Sequence, residues 1–332
     1  MRRLKVLTWH VHGSYLYYLS MIDHDLYLPV NDQRSGGYIG RTPSYPWLQN
    51  IREVHVDEIS RHQFDCILFQ TRENYMFDQY KILSTSQLEL PKIYLEHDPP
   101  REHPTDTIHV VDDPNVLVVH VTNFNDLMWD CQRSPTKVIQ HGVCVPGEIG
   151  YTGEFSKGIV VVNNLRKRGR RLGADIYDNV RDKIPLDLIG MGWCEADGIG
   201  EVPHKNLASF VAPYRFFFNP IRYTSLGLAI CEAMMVGLPI IGLATTELVS
   251  VVENYRSGLV SLEVPKLVEY MRHLLAHPGE AAELGRRARA TALERFNIKR
   301  FVRDWDDTLF DVCGSKTFEN IRERRPESCG LQ

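Results

Sequence analysis

No run in this sequence approaches the ~20 uninterrupted apolar residues that a membrane-spanning helix needs. The opening Met1-Arg2-Arg3 leads only into a short apolar run broken at Lys5, His10, His12 and Gly13, which fits an opening strand better than a signal peptide. Charge of one sign is not in excess. The 38 Lys and Arg nearly balance the 42 Asp and Glu, and the formal net charge of -4 offers no global attraction to nucleic acid or to an anionic membrane. There is no C-x-x-C pair. The seven cysteines (Cys66, Cys131, Cys144, Cys194, Cys231, Cys313 and Cys329) are odd in number and scattered, several within apolar runs. Reduced, buried thiols in a cytosolic protein are expected, and a disulfide framework is not. The G-x-G-x-x-G dinucleotide fingerprint is also missing, which counts against a dehydrogenase. Low-complexity tracts and short tandem repeats are absent as well.

What is present is an alternation. Residues 4–9, 25–30, 53–56, 65–70, 91–96, 116–121 and 137–141 read as short apolar strands, with helices expected over 15–21, 73–84 and 123–131. The pattern resumes with strands over 158–162, 185–189 and 216–218 and helices over 174–183 and 207–212. Helices over 264–276 and 279–311 follow, the second dominated by Ala, Leu, Glu and Arg. Strands and helices alternating at this length predict parallel βα units. The 332 residues accommodate two domains of ordinary size. The fold class is therefore α/β, two tandem Rossmann-like doubly wound domains with C-terminal helices. The expected divisions are an N-terminal domain over 1–146, a Gly-rich linker over 147–157, a C-terminal domain over 158–312 and a polar tail over 313–332. Ligands of open parallel sheets bind at the strands' carboxyl ends, so two such domains predict an interdomain cleft.

The most informative stretch is 216–260. A buried strand is broken by Asn219-Pro220, Thr224-Ser225 offers a helix start, and Gly237 and Pro239 end the helix before the next strand. Glu232 sits in the middle of that apolar helix, where a lone carboxylate is costly unless something pairs with it.

Thr224-Ser225-Leu226-Gly227-Leu228, then Glu232-Ala233-Met234-Met235, Gly237 and Pro239, then Tyr255-Arg256-Ser257-Gly258-Leu259-Val260 resemble the signature of the retaining glycosyltransferases of family 4. That signature reads E-x-F-G-L, x-x-x-E-A-M-A-x-G-x-P and G-x-x-G-L-[LV]. The resemblance covers the C-terminal half closely and the N-terminal half in pattern only, and it implies the GT-B fold. It also implies roles. The amides of Ser225, Leu226, Gly227 and Leu228 would receive a diphosphate at a helix N-terminus. Glu232 would accept the ribose hydroxyls. Thr224 stands where the family has its first Glu, which contacts donor-sugar hydroxyls, and a threonine carries no charge there. Arg222, two residues earlier, is a candidate to redirect that part of the site.

The basic run Arg166-Lys167-Arg168-Gly169-Arg170-Arg171 stands where the family holds the diphosphate with an Arg and a Lys, so Arg166 and Arg168 are the expected clamp. Gly13, in His12-Gly13-Ser14, resembles the glycine turn beneath the donor phosphates. His97, at the end of the strand over 91–96, matches a His that positions the transferred sugar. His141-Gly142-Val143 resembles a structural N-G-[VI] element near the hinge. By analogy, the loop carrying Arg34, Gly36, Gly37, Arg41 and Tyr45 shapes the acceptor side. The cluster His97, Asp98, Glu102, His103, Asp106 and His109 matches no metal-ligand spacing.

The resulting expectation is a cytoplasmic glycosyltransferase that uses a nucleoside-diphosphate sugar, needs no metal or other cofactor, and retains anomeric configuration. Its acceptor is a glycan, a lipid-linked molecule or a small molecule, and peripheral contact with a membrane stays open. Two rivals remain. One is a nucleotide-sugar epimerase on the same fold, and the other is a non-catalytic GT-B-like partner subunit.

Overall fold

The computed structural model describes residues 2–192 and 198–314. Cys194, Cys329 and almost all of the expected polar tail fall outside that range. Seven strands build the first sheet: β1 (Lys5–Thr8), β2 (Asp25–Val30), β3 (Ile51–His55), β4 (Cys66–Phe69), β5 (Lys92–Glu96), β6 (Val116–His120) and β7 (Thr136–Val138). They lie in the order β3-β2-β1-β4-β5-β6-β7. The second sheet holds β8 (Phe155–Val161), β9 (Leu186–Ile189), β10 (Tyr214–Asn219), β11 (Ile240–Leu243) and β12 (Gly258–Ser261), ordered β12-β11-β10-β8-β9. Every pairing in both sheets is parallel. Strands covered on both faces are apolar throughout, and β10 shows the pattern, with all six residues buried. Its one charge, Arg215, is tolerated because the guanidinium donates to the carbonyls of Gly153, Leu274 and Leu275.

The helices that matter for the site are α1 (Gly13–Leu19), α2 (Asn123–Met128), α3 (Ala174–Arg181), α4 (His204–Val211), α5 (Leu228–Val236), α6 (Val264–Ala276), α7 (Pro278–Arg295) and α8 (Ile298–Gly314). One apolar core runs through both domains. It joins Leu16, Leu19 and Leu68 of the first with Phe217, Ile230 and Met234 of the second through Phe301 and Trp305 of α8.

Several elements depart from their expected bounds for identifiable reasons. The single helix expected over 279–311 is two. The chain breaks at Phe296-Asn297 because that backbone pairs with the hinge instead: Val143 N–H donates to Phe296 O at 2.9 Å, and the Asn297 side chain caps Lys299 N at 2.8 Å. The second piece, α8, thereby crosses to the N-terminal domain, where Trp305 Nε1 donates to Tyr15 Oη at 3.1 Å. The strand expected from 158 begins at Phe155, within the stretch assigned to the linker, because Phe155 N–H bonds Pro213 O and its ring packs edge-on to Tyr214. The helix expected over 73–84 forms over 72–82, wound as a π-helix over Asn74–Asp78 before it continues as Gln79–Ile82. The basic loop over 163–173 is wound into two turns, Leu165–Arg168 and Gly169–Leu172. The five cysteines within the described residues are free, and Cys144, expected to be buried, is exposed.

The helix carrying Glu232 is held from behind by α7. Gly285 lies against the backbone of Gly237, and a Cβ at 285 would sit 2.0 Å from Gly237 O. In an open helix, Gly→Ala stabilises by about 1 kcal/mol. Here Gly285→Ala is expected to destabilise by about 1–3 kcal/mol through overpacking, read as a lower urea midpoint at unchanged m-value.

Candidate active site

The carboxyl ends of both parallel sheets face one cleft. From the N-terminal side come the turn after β1, the end of β4 and the segment after β5. Gln70 fixes this wall. Its amide nitrogen donates to Thr8 Oγ1 at 2.9 Å and Trp9 O at 2.7 Å, so Gln70 Oε1, 2.9 Å from His97 Nε2, must accept from that ring. His97 therefore carries its proton on Nε2. Burial, reinforced by His12 and His141, holds its pKa well below the usual imidazole value. His12 reaches solvent, its ring 4.2 Å from that of His97, and desolvation in the cleft lowers its pKa too. His141, at the hinge, donates from Nε2 to Leu226 O at 2.8 Å, which in a neutral ring leaves Nδ1 as the acceptor, buried here without a partner. Burial brings its pKa down to about 4.

These buried neutral rings make a pH prediction. A histidine lowered from 6.5 to about 4 binds more protons unfolded than folded inside that window. Its contribution is present in full above pH 6.5 and is lost as pH falls through the folded value. For His141 that is ~3 kcal/mol, and His97 acts in the same direction. Urea midpoints should fall steeply between pH 7 and pH 4.5, and a flat profile there would contradict the assignment.

The C-terminal wall begins at the basic turn. Arg166 is exposed and paired with Asp178 of α3 through two 2.6 Å bonds, so the structure directs it along the domain surface and away from the cleft. Arg170 and Arg222 both close on Asp175: Arg170 at 2.8 Å, Arg222 at 2.6 and 2.8 Å, with Arg222 also donating to Arg170 O. Arg222 thus pins the basic turn to the loop after β10, and its guanidinium is spent there, which leaves it no part in replacing the missing acid. Arg168 and Arg171 are half-buried and turn inward. Burial lowers the pKa of both, and each feels the other side of the cleft through Asp98 and Arg101. Among the described residues Arg168 makes no ion pair, and Arg171 Nη1 is buried without a partner.

The loop over 220–227 lies beside them, tied by Arg222 and Tyr223 N–H groups to Arg171 O at 3.1 and 3.2 Å. This tether moves the helix start: α5 is capped by Gly227 and begins at Leu228, not at Thr224-Ser225. Leu228 and Ala229 are its open first-turn amides. Ser225 and Leu226 lie in the loop, and Leu226 O is taken by His141. A Cβ at Gly227 would meet nothing within 4 Å, so the space over the cap is open. Tyr223 Oη and Ser225 Oγ are buried and unpartnered, and Thr224 is half-buried between them.

At Gly13 the Tyr45 ring lies close over the backbone, and a Cβ there would fall 2.4 Å from that ring, so any side chain at this position would have to displace Tyr45. The loop that carries Tyr45 is anchored, since Arg34 grips Glu53 through two 2.9 Å bonds and Arg41 N–H reaches the same carboxylate.

Glu232 is buried and does have partners, both unforeseen. Its Oε1 accepts from Tyr18 Oη of α1 at 2.7 Å and from His204 Nε2 of α4 at 2.9 Å. The rings of Tyr17 and Tyr45 each lie 5.2 Å from His204 and roof this place from the N-terminal side.

Comparison with solved structures gives this architecture its name. Sucrose-phosphate synthase from Thermosynechococcus elongatus superposes with a TM-score of 0.68 at 14% identity, over 94% of this chain and 100% of that one. HepE of Anabaena, solved with UDP and glucose, superposes at 0.68 with 15% identity, over 93% and 100%. The protein has the GT-B fold. A glycosyltransferase from Rickettsia africae agrees at 0.62 with 11% identity, over 94% and 99%. The family model described as glycosyl transferase-like matches residues 166–307 of this GT-B chain, from the basic turn into α8. No curated protein sequence matches it. Among the described residues no helix is long and apolar enough to cross a membrane.

Sequence reasoning passed over Tyr18, Arg171, His204 and Tyr223. Pro203 was the available signal for His204. It stands at the N-cap, where its lack of an N–H costs the helix nothing, and it marks a helix starting before 207. Nothing local distinguishes Tyr18 from Tyr15 or Tyr17.

Proposed function

We propose that this protein is a glycosyltransferase that moves a sugar from a nucleoside-diphosphate sugar to a hydroxyl acceptor, with retention and without a metal. One observation carries the reading. Arg168 and Arg171 are half-buried with no ion pair among the described residues, and Arg171 is tied through its carbonyl to the loop that holds the unpaired hydroxyls of Tyr223 and Ser225 and leads into the open first turn of α5. Two half-buried guanidiniums, hydroxyl donors and free amides converging at the strand ends suit a diphosphate. The solved structure of HepE with UDP and glucose favours UDP as the first nucleotide to test.

The residues divide the work. Arg168 and Arg171 neutralise the charge that grows on the departing diphosphate, in the place a cation takes in other transferases. Glu232 takes the ribose. His97, neutral and locked by Gln70, orients the sugar by hydrogen bonding, and its low pKa makes it a poor proton donor at neutral pH. That argues against the epimerase reading, which requires acid and base groups in the cleft. The acceptor proton passes to the leaving diphosphate on the same face, so the protein contributes position and charge.

A thermal-shift panel of UDP, GDP, ADP and CDP tests the reading. A nucleotide at a hundredfold excess over its dissociation constant stabilises by about 2.7 kcal/mol, a shift of several degrees. Turnover of the matching nucleotide sugar should then depend on an added acceptor. If no nucleoside diphosphate binds at millimolar concentration, the enzyme reading fails. Product formed from the nucleotide sugar alone would favour the epimerase.

A further inference from the structure

Glu232 lies among Ile230, Cys231, Ala233 and Met234, all buried, and its side chain is only 8% exposed. No ribose can reach it as it stands. Both of its partners approach the same oxygen, and they come from different domains: Tyr18 from α1 of the N-terminal domain, His204 from the first residue of α4 in the C-terminal domain. Two donors already occupy Oε1, so a ribose hydroxyl that comes to this oxygen must displace one of them. We propose that Tyr18 is a positioning residue that holds the Glu232 carboxylate in the empty protein and yields its place to a donor ribose hydroxyl, so that nucleotide binding breaks one of the bonds closing the two domains.

This rests on the reading of Glu232 as the ribose ligand. The surroundings support the exchange. Burial and the adjacent Glu232 charge push the Tyr18 phenol well above its ordinary value, so it stays a donor at any working pH. Tyr17 and Tyr45 cover His204 from the N-terminal side, so a nucleotide approaching Glu232 must part these rings from His204. The free protein is thus closed over its own nucleotide site, and part of the binding energy goes into opening it.

The test is Tyr18→Phe, which keeps the ring and its packing and removes only the hydroxyl. Isothermal titration with UDP, and with GDP and ADP, should show about tenfold tighter binding than wild type, since a hydrogen bond to a charged group no longer has to be given up. KM for the donor should fall with it while kcat does not rise, a split that a merely structural role would not produce. If wild type binds a nucleotide and Tyr18→Phe binds it equally or more weakly, this inference is overturned and the proposed function stands. If neither protein binds any of the three, both fall.

A second and independent site lies outside the cleft, where α6 meets α7. His273, His277 and Glu280 are exposed and each offers a ligand atom within 4.8 Å of the other two. His277 Nδ1 donates to His273 O at 2.9 Å, which leaves the lone pair on Nε2, and His273 Nε2 lies 2.8 Å from a Glu280 oxygen. An imidazole oriented by a backbone carbonyl through its other nitrogen is the usual preparation of a metal ligand. The geometry points to a site for a divalent cation of the zinc type, with two imidazoles, one carboxylate and water completing the shell. The cation would clamp the joint that sets α7 against the Glu232 helix. Titrating zinc chloride into metal-free protein should show one micromolar site, weakened about tenfold or more in His277→Ala and Glu280→Gln and absent for magnesium. Equal zinc affinity in wild type and both variants, or no binding to wild type, would overturn it.

Discussion

Glu232→Gln will weaken nucleoside-diphosphate binding by about ten- to a hundredfold and leave the fold intact. The substitution keeps the shape of a side chain packed inside α5 but removes its charge. A diol hydrogen-bonds a carboxylate more strongly than an amide, and in a pocket this dry the difference is not diluted by water. The same change costs the free protein something, because Tyr18 and His204 now donate to a neutral oxygen, and a fall in stability of about 1–2 kcal/mol is expected. Glu232→Ala is harsher. It leaves two buried donors unpaired, so its melting temperature should drop further than that of the Gln variant. Calorimetric titration with UDP alongside thermal unfolding separates the two effects. Wild-type affinity in Glu232→Gln would remove Glu232 from the site.

Arg168→Ala with Arg171→Ala should lower diphosphate affinity by about a hundredfold or more, since each hydrogen bond between charged groups is worth about 1.5–3 kcal/mol. Three features make this prediction specific. The loss should appear with the nucleoside diphosphate and vanish with the bare nucleoside, because the guanidiniums address phosphate. It should shrink as salt rises, because salt screens the partly exposed part of the interaction. The empty variant should also be no less stable than wild type, since two half-buried cations that repel each other and Arg101 are a cost without a ligand. Arg166→Ala is the control. Its guanidinium is committed to Asp178, so its removal should leave nucleotide affinity unchanged.

Half-buried Thr224 stands where the resemblance places an acid. It stands in the chain between Tyr223 and Ser225, whose hydroxyls are buried and unpartnered, and the loop over 220–227 holds no acid.

The alternation of apolar strands with helices, the stop at Gly237-Pro239 and the odd position of Glu232 were all legible in the amino-acid order. Each is a local matter. Burial on both faces makes a strand such as β10 apolar throughout, a left-handed glycine at φ 102° ends α5, and a carboxylate among apolar neighbours announces itself without a structure. The partners of those residues were not legible. Tyr18 lies 214 residues from Glu232, and nothing near it in the chain sets it apart from the tyrosines on either side. Five basic residues stand in one short run, and only the acids at Asp178 and Asp175 draw Arg166 and Arg170 into surface pairs and so set them apart from Arg168 and Arg171. Gly13 reads as a turn glycine, but that Tyr45, 32 residues on, packs over it is a matter of the fold alone. The break at Phe296-Asn297 falls within a stretch of strong helix formers, because pairing with the hinge outweighs local propensity. Periodicity and burial cost act over a few residues and are written into the sequence. Charge pairing, ring packing and the meeting of the two domains depend on which distant side chains arrive together, and only the folded chain settles that.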